Sequence, residues 1–243
     1  MPINVLINGA WGRMGQEAVK AVQNDPELEL VGQIGKTDDL TAVIQQSKAQ
    51  VVVDLTTPAA VYKNTLAIIN AQACPVIGTT GLTPEQIKKL EECCTQKKRG
   101  GVVAPNFSIA AILMMRFSAQ VSQYFPHVEI IELHHAGKLD SPSGTAIKTA
   151  EMIATVRADQ AAPKATHENI PGARGALHHH IPIHSIRLPG LVASQEVLFG
   201  GVGETLRICH NTIHREAFMP GILLACKKVL MLDHLVYGLE QLL

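Results

Sequence analysis

The chain has no excess of charge of either sign. Lysine plus arginine number 21 and aspartate plus glutamate number 21 among its 243 residues. That balance argues against a dedicated nucleic-acid or membrane-surface binder. No apolar run approaches the roughly 20 residues of a membrane-crossing helix. The amino terminus shows no basic stretch followed by an apolar signal region, so the cytoplasm is the expected compartment. Five cysteines are present, Cys74, Cys93, Cys94, Cys209 and Cys226, with no C-x-x-C pair. An odd number without metal or redox spacing reads as reduced thiols. Internal repeats are absent. What is there is 47% hydrophobic and 17% charged, in a chain long enough for one large domain or two small ones.

Strand and helix signals alternate through the first hundred residues. Short apolar runs at 3–9, 28–34, 50–56, 74–80 and 100–105 read as strands. Between the first two, Arg13 to Asp25 has helical spacing, with Met14, Ala18, Val19 and Val22 on one face. Thr57-Pro58 reads as a helix start, and Thr83-Pro84-Glu85-Gln86 as a capping box with proline at the first helical position. Repeated strand-helix units with nearly continuous apolar strands indicate a parallel sheet covered on both faces. Beyond Asn106 the pattern changes. A helix from Ser108 to about Tyr124 is followed by a strand over 127–135, a helix from Gly144, and a surface loop over 160–176. Three consecutive strand signals at 181–187, 194–201 and 204–212 then suggest a mixed or antiparallel sheet. A helix from Arg215 to about Leu230 and a short apolar tail close the chain. The fold expected is α/β: a Rossmann-type parallel-sheet nucleotide domain, then an α+β domain with a mixed sheet from residue 107.

"GAWGRMG" (Gly9 to Gly15) joins the first strand to the first helix and places glycines at 9, 12 and 15. A dinucleotide loop needs glycine where the backbone turns sharply and approaches a pyrophosphate, and the helix start supplies free N–H groups. An acid at the end of the second strand, expected for a ribose 2′-hydroxyl, is missing; Lys36 stands there, with Asp38 and Asp39 further on. That lysine favours a 2′-phosphate, so NADPH is preferred over NADH, with Lys36 as its contact.

"ELHHAGKLDSPSGTA" (Glu132 to Ala146) gathers two histidines, a lysine and a helix start. Side chains alternate along a strand, so His134 and His135 serve one site only if the strand ends near them; Ala136-Gly137 predicts that end. Asp140, Ser141 or Ser143 can cap the following helix. Imidazoles, an ammonium and helix N–H groups suit a small dicarboxylate and proton transfer. Zinc is the rival reading, and His178-His179-His180 with His184 raises it again. The carboxylate and cysteine ligands of familiar metal motifs are missing at diagnostic spacing, so no metal is expected.

"GAWGRMG", "GTTG" (Gly78 to Gly81), "APNFS" (Ala104 to Ser108) and "ELHHAGKLDSPSGTA", in this order, resemble dihydrodipicolinate reductase. The last meets every fixed position of the family's E-x-H-H-x-x-K-x-D-x-P-S-G-T-A signature, and the similarity extends through "HSIRLPG" and "GETLRICHNTIHREAFMPG". The resemblance implies NADH- or NADPH-dependent reduction of 4-hydroxy-tetrahydrodipicolinate to tetrahydrodipicolinate, on the diaminopimelate route to lysine. It implies His134 as general acid/base, Lys138 as proton donor, and His135, Gly144 and Thr145 on the substrate carboxylates. Gly9, Ala10, Trp11, Gly12, Arg13 and Met14 would line the dinucleotide. Gly78, Thr79, Thr80, Ala104, Pro105, Asn106 and Phe107 would approach its nicotinamide end. Trp11 stands where a small residue is common. Residues 215–243 would return to the nucleotide domain of 1–106, leaving 107–214 for substrate binding and assembly of a homo-oligomer, a tetramer. The alternatives are another Rossmann-domain reductase of a small carboxylic acid, or a dinucleotide-sensing protein without catalysis.

Overall fold

The computed structural model describes residues 1–157 and 167–243. Its first half runs β1 (Ile3–Asn8), α1 (Arg13–Asn24), β2 (Leu28–Ile34), α2 (Leu40–Ser47), β3 (Val51–Asp54), α3 (Val61–Asn70), β4 (Cys74–Ile77), α4 (Pro84–Lys97) and β5 (Gly101–Val103). Then follow α5 (Ile109–Val121), β6 (His127–His134), α6 (Gly144–Val156), β7 (Ala176–His178), β8 (Ile181–Arg187), β9 (Ala193–Gly201), β10 (Glu204–Thr212), α7 (Met219–Lys228) and β11 (Leu235–Tyr237). The chain divides into two compact units, Met1–Ile109 with Arg215–Leu243, and Ala110–His214.

The first unit holds a six-stranded sheet in the order β11-β5-β4-β3-β1-β2, with every pairing parallel. The apolar runs explain it: β3 and β4 are buried along their whole length, as strands covered on both faces must be. The order reverses between β1 and β3, which opens a crevice at their carboxyl ends, the usual ligand position in such sheets. Helix α1 buries Gly15, Ala18 and Val22. The capping box at α4 forms, with Thr83 and Gln86 bonding each other's backbone.

Two local expectations change. The helix signal at Thr57-Pro58 marks a turn instead: the N–H groups of Ala60 and Val61 both donate to the Thr57 carbonyl, and α3 begins at Val61. The short apolar tail, which carried no strand signal, forms the edge strand β11, in parallel register with β5. A three-residue strand is too short to display a period of two. Helix α2 falls between β2 and β3, capped by the Asp39 carboxylate on the Ala42 N–H at 3.1 Å.

The second unit holds a five-stranded mixed sheet, β10-β9-β6-β8-β7, in which only β6 and β8 run parallel. Helix α6 packs on β6, and Gln195 of β9 donates to Thr149 of α6 at 2.7 Å. The surface loop expected over 160–176 lies outside the described residues as far as 166. The histidine triplet closes a hairpin. His178 pairs with Ile181, and His179 and His180 take left-handed conformations, φ 48° and 62°, as a two-residue type I′ turn requires.

Candidate active site

The second unit gathers its polar groups where β6 ends. Val128, Ile130 and Glu132 alternate onto one face and are all buried, Glu132 at 0% exposure. A buried carboxylate needs compensation, and β8 supplies it. Arg187, paired in register with His134, donates from both terminal nitrogens to the two Glu132 oxygens at 2.9 and 2.8 Å. His134 Nδ1 meets Glu132 Oε2 at 2.5 Å, and the Ser143 N–H reaches Oε1 at 3.3 Å. Arg187 also donates to the Asp140 carbonyl at 2.7 Å. One ion pair therefore fixes the strand end, the loop and the start of α6. Burial pushes the Glu132 carboxyl upward, but hydrogen bonds from His134, Arg187 and Ser185 outweigh it and hold it at about 2. An ionised carboxylate only accepts, so Nδ1 carries a proton and Nε2 is the nitrogen left for chemistry.

The strand ends at His134, the condition under which both histidines could serve one site. His134 remains tied to Glu132, while His135 lies past the strand, exposed, its carbonyl accepting from the Lys138 N–H at 3.1 Å. Lys138 Nζ is engaged: both Asp140 oxygens accept from it at 2.7 Å. That hydrogen bond lowers the Asp140 pKa from its ordinary value. Ser143 is the cap of α6, accepting from the Ala146 N–H at 3.2 Å. Gly144 and Thr145 follow it, and a side chain at Gly144 would meet nothing within 4 Å. The helix start is thus open at the position where an anion binds best.

The first unit builds its site from backbone. Gly9 sits at φ +85°, and a Cβ on Gly15 would lie 2.1 Å from the Gly9 carbonyl oxygen, so only glycine lets α1 start this close to β1. Gly12 begins α1 with no side-chain cap, leaving helix N–H groups for a pyrophosphate; the residues present fit a dinucleotide. Ala10 is buried and Trp11, Gly12 and Arg13 are exposed. The Trp11 indole lies against Gly35, where a Cβ would sit 2.9 Å from its Cδ1. The acid missing from the end of β2 in the sequence is returned there by the chain: Asp38 accepts from the Gly35 N–H at 2.7 Å. Lys36 is exposed beside it. Gly78 N–H donates to the Asp54 carbonyl at 3.0 Å and Ala104 N–H to Ile77 at 2.9 Å, so the loops after β4 and β5 are tied to their neighbours. Phe107 is buried against Gly78, Asn106 accepts from the Ser108 N–H at 2.8 Å, and Met14, Thr80 and Pro105 lie at least partly exposed.

Glu132 and Arg187 were quoted in the sequence motifs but given no role. Glu132 was legible: a glutamate in phase with Val128 and Ile130 is an acid on an apolar face, which must find a partner. Arg187, 55 residues away, carries no local signal. Among the described residues no group of three or more His, Cys, Asp or Glu is placed to hold a metal; His178 stands 3.7 Å from Glu151 and edge-on to His179.

An uncapped glycine loop on a parallel sheet, and a carboxylate-held histidine beside a lysine at a helix start, define a nucleotide-dependent oxidoreductase. The family models for dihydrodipicolinate reductase match the chain over residues 3–107 (N-terminus) and 110–243 (C-terminus), and the chain belongs to this family. It is 55% identical to the 4-hydroxy-tetrahydrodipicolinate reductase of Legionella pneumophila (strain Lens), over 243 residues and 100% of both chains. It is 52% identical, with the same coverage, to that of Coxiella burnetii (strain RSA 493 / Nine Mile phase I). A dipicolinate-bound dihydrodipicolinate reductase from Paenisporosarcina sp. TG-14 superposes with a TM-score of 0.90 at 43% identity, covering 100% of each chain.

The Glu132 environment predicts a pH dependence. Its folded value, about 2, lies below the usual 4.5, so its stabilisation is complete above that usual value and is lost as pH falls through the folded one. Glu132→Gln removes this titration. The variant is expected to unfold about 1 to 3 kcal/mol more easily at neutral pH, because the partly buried Arg187 loses its charged partner. Its urea midpoint should then fall less between pH 5 and 2 than that of the unsubstituted protein. Parallel pH profiles would contradict the assignment.

Proposed function

We propose that the chain reduces 4-hydroxy-tetrahydrodipicolinate to tetrahydrodipicolinate, with loss of water, in the cytoplasmic diaminopimelate route to lysine. The observation that carries this reading is the Glu132–Arg187 pair, which organises His134, the Lys138 loop and the α6 start in a chain matched end to end by reductases of that name. A bound nicotinamide supplies the hydride. The protein supplies the rest. His135 and the N–H groups of Gly144 and Thr145 hold the substrate carboxylates. His134, with Nδ1 engaged by Glu132, exchanges protons through Nε2. Lys138 leaves Asp140 for the incoming substrate and delivers the proton that balances the hydride. Ile131, Leu133, Ile186 and Leu198 share the face of the mixed sheet opposite Glu132 with Glu129, His184 and Glu196, a mixed surface that a second copy could cover in a homo-oligomer, a tetramer.

Either nucleotide is accepted on this reading. Asp38 at the end of β2 suits a 2′-hydroxyl, and the exposed Lys36 beside it suits a 2′-phosphate. Lys36→Ala should raise the KM for NADPH several-fold and leave that for NADH unchanged, while Asp38→Ala does the reverse. Equal effects of each variant on both nucleotides would remove these contacts.

The activity is tested with the product of the preceding synthase, following NAD(P)H absorbance; no oxidation would leave another reductase or a dinucleotide sensor. Lys138→Met is expected to lower kcat by about 10²- to 10⁴-fold while cofactor Kd stays within two-fold. Turnover surviving within a few-fold would refute the proton-donor role.

A further inference from the structure

Asp54 is the last residue of β3 and is fully buried. It has no cationic partner among the described residues. Its carboxylate instead accepts from Asn8 Nδ2 at 2.9 Å, the Thr56 N–H at 3.2 Å and Thr56 Oγ1 at 2.7 Å. Asn64 Nδ2 donates to it at 2.9 Å and Thr79 Oγ1 at 2.8 Å. Five neutral donors on two oxygens match a carboxylate, which only accepts. Burying a charge on neutral donors is expensive where a neutral side chain would fill the space. A purely structural knot has no need of the charge.

The location suggests what the charge is for. Asn8 ends β1 and pairs directly with Asp54, so the two sit where the strand order reverses. Thr79 follows β4, and Asn64 lies in α3. One carboxylate thus ties together the carboxyl ends of three adjacent strands, at the crevice where a dinucleotide crosses such a sheet. We propose that Asp54 is a positioning residue of the nicotinamide site: it fixes Thr79 beside the ring, and its uncompensated charge, one side chain removed, favours the oxidised, cationic ring over the neutral reduced one. The proposal rests on the cofactor reading above. Hydride transfer would leave the bound ring with a positive charge, and a fixed anion behind Thr79 would stabilise that change without reorganisation. A unit charge one side chain away, at an effective dielectric constant near 20, is worth roughly ten- to a hundred-fold in an equilibrium ratio.

The test compares Kd for NADP⁺ and NADPH by calorimetry on the full chain. In Asp54→Asn the ratio of oxidised to reduced Kd should rise about ten-fold or more, and kcat should fall with substrate KM unchanged. Asn64→Ala removes one donor but keeps the charge, so the melting temperature should drop while the ratio stays within two-fold. A ratio unchanged in Asp54→Asn, with both nucleotides still bound, overturns the proposal and leaves the function intact. Failure of the unsubstituted protein to bind either nucleotide overturns both. Should Asp54→Asn not fold, Thr79→Val and Thr79→Ser carry the test. Valine should weaken both nucleotides about five-fold or more, and serine, which keeps the hydroxyl, should restore them; equal losses in the two variants would overturn it.

Discussion

The pair between buried Glu132 and partly buried Arg187 is the contact on which the proposed chemistry of the second unit depends. Taking both charges out of water is costly, and their attraction repays it only with good geometry and further hydrogen bonds. The pairing is bidentate, and further hydrogen bonds run to His134, Ser143 and the Ile186 and Asp140 carbonyls, while Arg187 Nε is buried without a partner among the described residues. His134, Asp140 and Ser143 belong to different pieces of the proposed site. The imidazole ends the strand, the Asp140 carbonyl lies in the loop that carries Lys138, and Ser143 caps the helix whose next residues face the anion. An apolar pair of equal volume could hold β6 to β8. It could not orient an imidazole or pin a loop.

On the proposed reading the two units would bind anions differently. In the first, side chains are removed: Gly9, Gly12 and Gly15 would let the helix N–H groups approach a pyrophosphate, and a Cβ at Gly15 would collide with the loop itself. In the second, side chains converge at a helix start whose cap is made by Ser143. The first arrangement is indifferent to protonation and suits a cofactor held through the whole cycle. The second contains the groups proposed to gain and lose protons. Asp54 extends the logic of the second into the first, placing one charge behind a surface otherwise made of backbone.

Much of the architecture could be read along the chain, because its signals are local. The buried runs of β3 and β4, the glycine loop and the Thr83 cap each occupy a few consecutive residues. The strand end that Ala136-Gly137 predicts is also local, and β6 does end at His134. What could not be read depends on distance or on brevity. Arg187 reaches Glu132 from another strand, and β7 and β11 are three residues each. The Asp38 carboxylate returns to the end of β2 through a turn that linear spacing does not reveal. The zinc reading arose from counting histidines. In the fold, His179 and His180 form a hairpin turn, and their conformations serve the turn.

A double-mutant cycle on Glu132 and Arg187 addresses the central claim most directly. The quantity is kcat/KM for the chain, Glu132→Gln, Arg187→Met and the double variant. If the pair acts as one unit, the second substitution adds little to the first, and the double variant is no slower than the worse single one. Losses that multiply would mean that the two residues act independently, and the pair would not be what organises the site.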